Sequence, residues 1–78
     1  MKKVFVSLPD AESIQNFVST LTELEGDFEL VSDNFVLDAR SLMGIFSLDI
    51  SSPILLRVYN DTQQNFQAIS EFITEADK

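Results

Sequence analysis

The sequence contains no cysteine, histidine or tryptophan, and it has only two glycines and two prolines. Without cysteine there is no disulfide framework and no thiolate nucleophile. Without histidine there is no imidazole metal ligand and no side chain whose unperturbed titration falls near neutrality. The scarcity of glycine rules out a glycine-rich phosphate loop, and no nucleophile elbow or calcium-loop spacing is present. Basic residues are also few: five against thirteen acidic ones give a formal charge of −8. Such a field repels phosphodiester backbones and anionic lipid surfaces, so neither nucleic acid nor membrane is expected as a partner. No apolar run approaches the ~20 residues of a membrane-spanning helix, and the first eight residues are too short and polar for a signal peptide, so a cytoplasmic protein is expected.

What is present is enough for a core. Of 78 residues, 45% are apolar and seven are phenylalanine, which fits one small domain over residues 1–78 that needs neither metal nor cofactor to fold. Val4, Val6 and Leu8 alternate with Lys3, Phe5 and Ser7, the period of a half-buried strand. Pro9 ends it and Asp10 offers a helix cap. Ile14, Phe17, Val18, Leu21 and Leu24 then recur at helical spacing as far as about Glu25, with Gly26 as the stop. Phe28 and Leu30, then Phe35, Leu37 and Ala39, form the inward sets of a hairpin turned at Ser32-Asp33-Asn34. Ser41 caps a short helix of one or two turns within the apolar stretch from Leu42 to Leu48. Ile54, Leu56 and Val58 alternate as a fourth strand, and Asp61 with Gln64 caps a last helix whose stripe is Phe66, Ile69, Phe72 and Ile73. The order βαββαβα predicts an α+β sandwich. Its four-stranded antiparallel sheet is covered on one face by two long helices and one short one. The uncovered face would carry Phe5, Glu29, Val31, Val36, Asp38, Leu55, Arg57 and Tyr59, more apolar than solubility requires.

Residues 40–48, Arg-Ser-Leu-Met-Gly-Ile-Phe-Ser-Leu, resemble the regulatory segment of the HPr family, small phosphocarriers of the bacterial phosphotransferase system. That segment commonly reads Lys-Ser-Ile-Met-Gly-Val-Met-Ser-Leu. The similarity extends without gaps over roughly Asp10 to Tyr59, and it implies the family's open-faced β-sandwich. It fails at the family's phosphorylatable motif. Asp10 stands at the His-equivalent position, Glu12 at the Arg-equivalent position and Ser13 where proline is usual, so this chain has no phosphohistidine chemistry. The resemblance therefore implies a non-catalytic regulatory or protein-binding module. Its partner would be a component of the phosphotransferase system or of catabolite control.

Within that reading Ser41 is the candidate regulatory phosphorylation site, because the matching serine is phosphorylated by a dedicated kinase in many members. Arg40, Met43 and Phe46 are the candidate partner-binding residues. The plainer role of Ser41 and of Asp10 is that of helix cap. An acyl-phosphate carrier at Asp10 is a minority alternative, since the nearby Glu12 is repulsive. Arg57 is read as a cross-strand partner of Asp38 or Glu29. A second alternative is assembly through the sheet face, using Phe5, Val36, Leu55 and Tyr59, which leaves the chain a monomer or a weak dimer.

Overall fold

The computed structural model describes residues 1–32 and 35–74. Strands β1 (Lys2–Val6), β2 (Phe28–Ser32), β3 (Phe35–Asp38), β4 (Ile54–Val58) and β5 (Ile73–Thr74) form one antiparallel sheet in the order β3-β2-β4-β1-β5. Helices α1 (Ala11–Thr22), α2 (Leu42–Phe46) and α3 (Gln63–Ile69) connect them, and a single 3₁₀ turn at Ser70–Phe72 follows α3. The element order thus follows the expected βαββαβα through α3, and the class is α+β.

Alternation dictates the layers. Val6, Phe28, Leu30, Ile54, Leu56 and Val58 are buried from the sheet, and Ile14, Phe17 and Leu21 from α1, Ile45 from α2 and Ile69 from α3 meet them. Phe17 and Phe72 pack edge to face with centroids 5.1 Å apart, a geometry that favours the ring quadrupoles.

The caps explain where the helices begin. Asp10 accepts from the Ser13 amide at 2.9 Å, and Ser41 Oγ accepts from the Gly44 amide at 3.2 Å. Each satisfies one donor that the first turn leaves unpaired.

Several expectations are corrected. The sheet has five strands, because the chain leaves its last helix after Ile69 and returns along the outer edge of β1. There Phe5 faces Thr74, Val6 faces Ile73, and the Ser7 amide donates to Phe72 O at 2.8 Å. Only α1 is long, at twelve residues; α3 has seven, and Ile73 is exposed on β5 instead of lying in a helical stripe. The cap of α3 is Thr62, whose Oγ1 accepts from the Asn65 amide at 3.1 Å; Asp61 lies 3.7 Å from the amino terminus of Met1. Phe35, expected inward, is 66% exposed, because it sits at the far end of the edge strand while Leu37 reaches the core. The turn at residues 33 and 34 lies outside the described residues.

The stop of α1 also comes earlier than Gly26. Thr22 is its last residue. Gly26 instead takes φ +107° in the turn into β2, where a Cβ would overlap the Cβ of Asn60. Only glycine fits that backbone and that approach.

Candidate functional site

The residues singled out from the sequence fall on three separate surfaces. The first is α2. Its five residues turn Ile45 into the core and Leu42 partly against it, which leaves Met43 80% exposed and Phe46 45% exposed. Gly44 is needed for the Ser41 cap: a Cβ there would come within 2.9 Å of Ser41 Oγ. At the other end the Ser47 hydroxyl donates to Gly44 O at 2.6 Å. The result is a two-residue apolar prominence held by a serine at each end.

Arg40 does not join this prominence. Its Nε donates to Leu21 O at 3.0 Å and its Nη2 to Leu24 O at 2.8 Å, while the guanidinium lies 5.1 Å from the Phe28 ring centroid. It therefore neutralises the carbonyl end of α1, where a cation is favoured by the helix dipole and by unpaired acceptors. Adjacency to Ser41 in sequence places the two groups next to each other along the chain, but the side chain is occupied elsewhere.

The second surface is the start of α1. Asp10 is exposed, and hydrogen bonds from the Ser13 amide, and then from the Ser13 side chain, hold its carboxyl below the usual carboxylate value of 3.8. Glu12 is exposed in the same turn. Among the described residues no basic side chain pairs with Asp10, and no group of three or more potential metal ligands gathers anywhere. The carboxylate is placed as a cap.

The third surface is the uncovered sheet face. Register sets Asp38, Glu29, Arg57 and Lys3 opposite one another in one row across β3, β2, β4 and β1, and Val36, Val31, Leu55 and Phe5 in the next. Arg57 Nη2 lies 2.8 Å from Glu29 Oε1, and the Tyr59 hydroxyl donates to the same oxygen at 2.7 Å. That hydrogen bond, more than burial, raises the Tyr59 phenol above its ordinary value of 10.0. Beside it, Asp27, Glu29, Asp38 and Tyr59 border a shallow cleft of about 250 Å³.

Two structural roles had no sequence signal. Asn65, 4% exposed, donates from its amide to Glu25 O at 3.0 Å and to Asn60 O at 2.9 Å, joining two loops. The role of Arg40 depends on contacts 16 and 19 residues away.

Compared with known proteins, the chain matches no family model, no curated protein and no solved structure.

Proposed function

We propose that this chain is a non-catalytic, cytoplasmic regulatory module that binds a protein partner through the α2 surface. The observation that supports the reading is the exposure of Met43 beside Phe46 on a helix whose other side is core. A flexible thioether next to an aromatic ring is a surface suited to an adaptable contact. The resemblance of residues 40–48 to the HPr regulatory segment suggests the partner's class, a component of the phosphotransferase system or of catabolite control. It also suggests Ser41 as a switch.

A phosphate on Ser41 would add about −1.5 to −2 charge at the amides that open α2. Because the Arg40 guanidinium is engaged by Leu21 O and Leu24 O, those amides, rather than Arg40, would carry the interaction. Relay of a phosphoryl group through histidine is excluded, since the chain has none.

The test has two parts. Incubation with ATP and an HPr kinase, read by intact mass, should add one phosphate to the wild type and none to Ser41→Ala; an unmodified wild type would refute the switch. Affinity capture should recover a partner with the wild type and lose it with Met43→Asp/Phe46→Asp. Equal recovery by both would remove the α2 surface from consideration.

A further inference from the structure

The uncovered sheet face carries a charge order that reads the same, with the signs exchanged, from either side. From β3 to β1 the first row runs Asp38, Glu29, Arg57, Lys3, two negative then two positive. The second row, Val36, Val31, Leu55, Phe5, is wholly apolar. We propose that a second copy of this chain docks face to face on this sheet, about a two-fold axis parallel to the strands and passing between β2 and β4.

That operation reverses the strand order and keeps each row on its own counterpart. Glu29 then faces Arg57 of the second copy, and Asp38 faces its Lys3. Val31 meets its Leu55, and Val36 its Phe5. A two-fold axis running across the strands would instead lay the charged row over the apolar one, desolvating four charges without partners. Only the strand-parallel axis is self-complementary, as an isologous contact requires. Aligned packing of two twisted sheets ~10 Å apart is a standard arrangement, and the twist makes the central pairs, Glu29 with Arg57 and Val31 with Leu55, the ones that superpose best.

Charge selects the occupant. The chain carries a formal −8, so two copies repel over most of their surfaces, yet this row sums to zero. Within each copy Glu29 Oε1 accepts from Arg57 Nη2 and from the Tyr59 hydroxyl, so the central pair of the row is held in place before a second copy docks. Four strands ~4.8 Å apart and five residues at ~3.3 Å each give a footprint of roughly 300 Å². That is well under the ~800 Å² per partner of a standard interface, so the dimer is weak, with a dissociation constant between ~10 μM and ~1 mM. Since α2 packs on the covered face, this contact leaves Met43 and Phe46 free, and the proposal stands or falls separately from the partner-binding reading.

Sedimentation equilibrium of the wild type from ~10 μM to ~2 mM should show reversible dimerisation. Arg57→Glu and Glu29→Arg should each weaken self-association at least about tenfold, because each puts like charges opposite one another twice in a symmetric dimer. Mixed together, those two variants should form a heterodimer with affinity within about threefold of the wild type, since the altered charges are again opposite in sign. Leu55→Lys should abolish association while leaving the circular dichroism spectrum native, which provides a readout independent of the charge variants. A wild type that stays monomeric throughout, a dimer indifferent to Arg57→Glu, or a mixture that fails to pair would each overturn the proposal.

Discussion

Replacing Asn65 tests the joint between two loops. Its amide hydrogens go to Glu25 O and Asn60 O, and the residue is 4% exposed. Neither carbonyl depends on Asn65 alone: Asn60 Nδ2 also donates to Glu25 O at 3.3 Å, and the Thr62 amide donates to Asn60 O at 2.9 Å. Asn65→Ala therefore loses two hydrogen bonds without orphaning an acceptor. Each is worth about 1 kcal/mol net, so the expected loss is about 2 kcal/mol, below the larger penalty of an unmet buried group.

Asn65→Asp is worse. It replaces the two N–H donors with one carboxylate oxygen that faces both carbonyl oxygens in a site shielded from water, so the loss should exceed that of alanine by a further ~2 kcal/mol at neutral pH. The total stability of a chain this size is about 4–12 kcal/mol, so the aspartate variant approaches the edge of folding. Urea unfolding followed by circular dichroism gives both numbers. Protonation of the introduced carboxyl restores one donor, so the gap between the aspartate and alanine variants should narrow as the pH falls into the carboxyl range. Aspartate and alanine variants of equal stability at pH 7 would show that the side chain is not aimed at the two carbonyls.

The remaining predictions concern other single contacts. Asp10→Asn keeps an acceptor for the Ser13 amide and should melt close to the wild type, whereas Asp10→Ala should melt lower. Because the Asp10 carboxyl lies below 3.8 in the fold, its contribution is complete above 3.8 and is lost as pH falls through the folded value. Melting curves of wild type and Asp10→Ala that fail to converge in acid would contradict this. Tyr59 is the only tyrosine and there is no tryptophan, so absorbance reads its ionisation alone. The midpoint should lie above 10.0, Glu29→Gln should bring it down, and the stabilisation from this bond should fade as pH rises from the ordinary value through the folded one. Gly26→Ala should lose at least ~2 kcal/mol in urea from positive-φ strain together with the overlap at Asn60; a neutral result would refute that backbone assignment. Arg40→Lys should lose roughly 2 kcal/mol, nearly as much as Arg40→Leu, because one ammonium cannot span the Leu21 and Leu24 carbonyls; full stability of the lysine variant would contradict the two-carbonyl contact.

Local periodicity carried most of the fold. The alternation of Val4, Val6 and Leu8 and the helical stripe through Ile14, Phe17 and Leu21 are read directly from burial preferences of period two and period 3.6. Ser41 was legible as a cap because its hydroxyl acts within three residues. The errors have both distant and local causes. Phe72 and Ile73 continue the spacing of Phe66 and Ile69, and what overrides the helix is pairing with the edge of β1, nearly seventy residues away in sequence. Asp61 and Thr62 are both competent caps by residue type, and the choice between them lies in the position of the Asn65 amide. Arg40 is the same kind of case: its neighbour in sequence is Ser41, while its partners belong to the end of α1. Of the candidate site, Met43 and Phe46 were legible as a surplus, since two turns of helix bury only one stripe.

The distribution of cations links the two faces. Among the described basic residues, Arg40 is turned inward, Arg57 and Lys3 lie in the charged row of the open face, and Lys2 is on the first strand. Glu12, Glu23 and Glu71, by contrast, are exposed on the helical side. The charged row of the sheet face sums to zero, whereas Glu12, Glu23 and Glu71 have no ion-pair partner among the described residues. On the proposed reading, a partner approaching the helical side meets exposed carboxylates, whereas a second copy of this chain, equally acidic there, is repelled. The same electrostatic field that bars self-association through the helices directs it to the sheet.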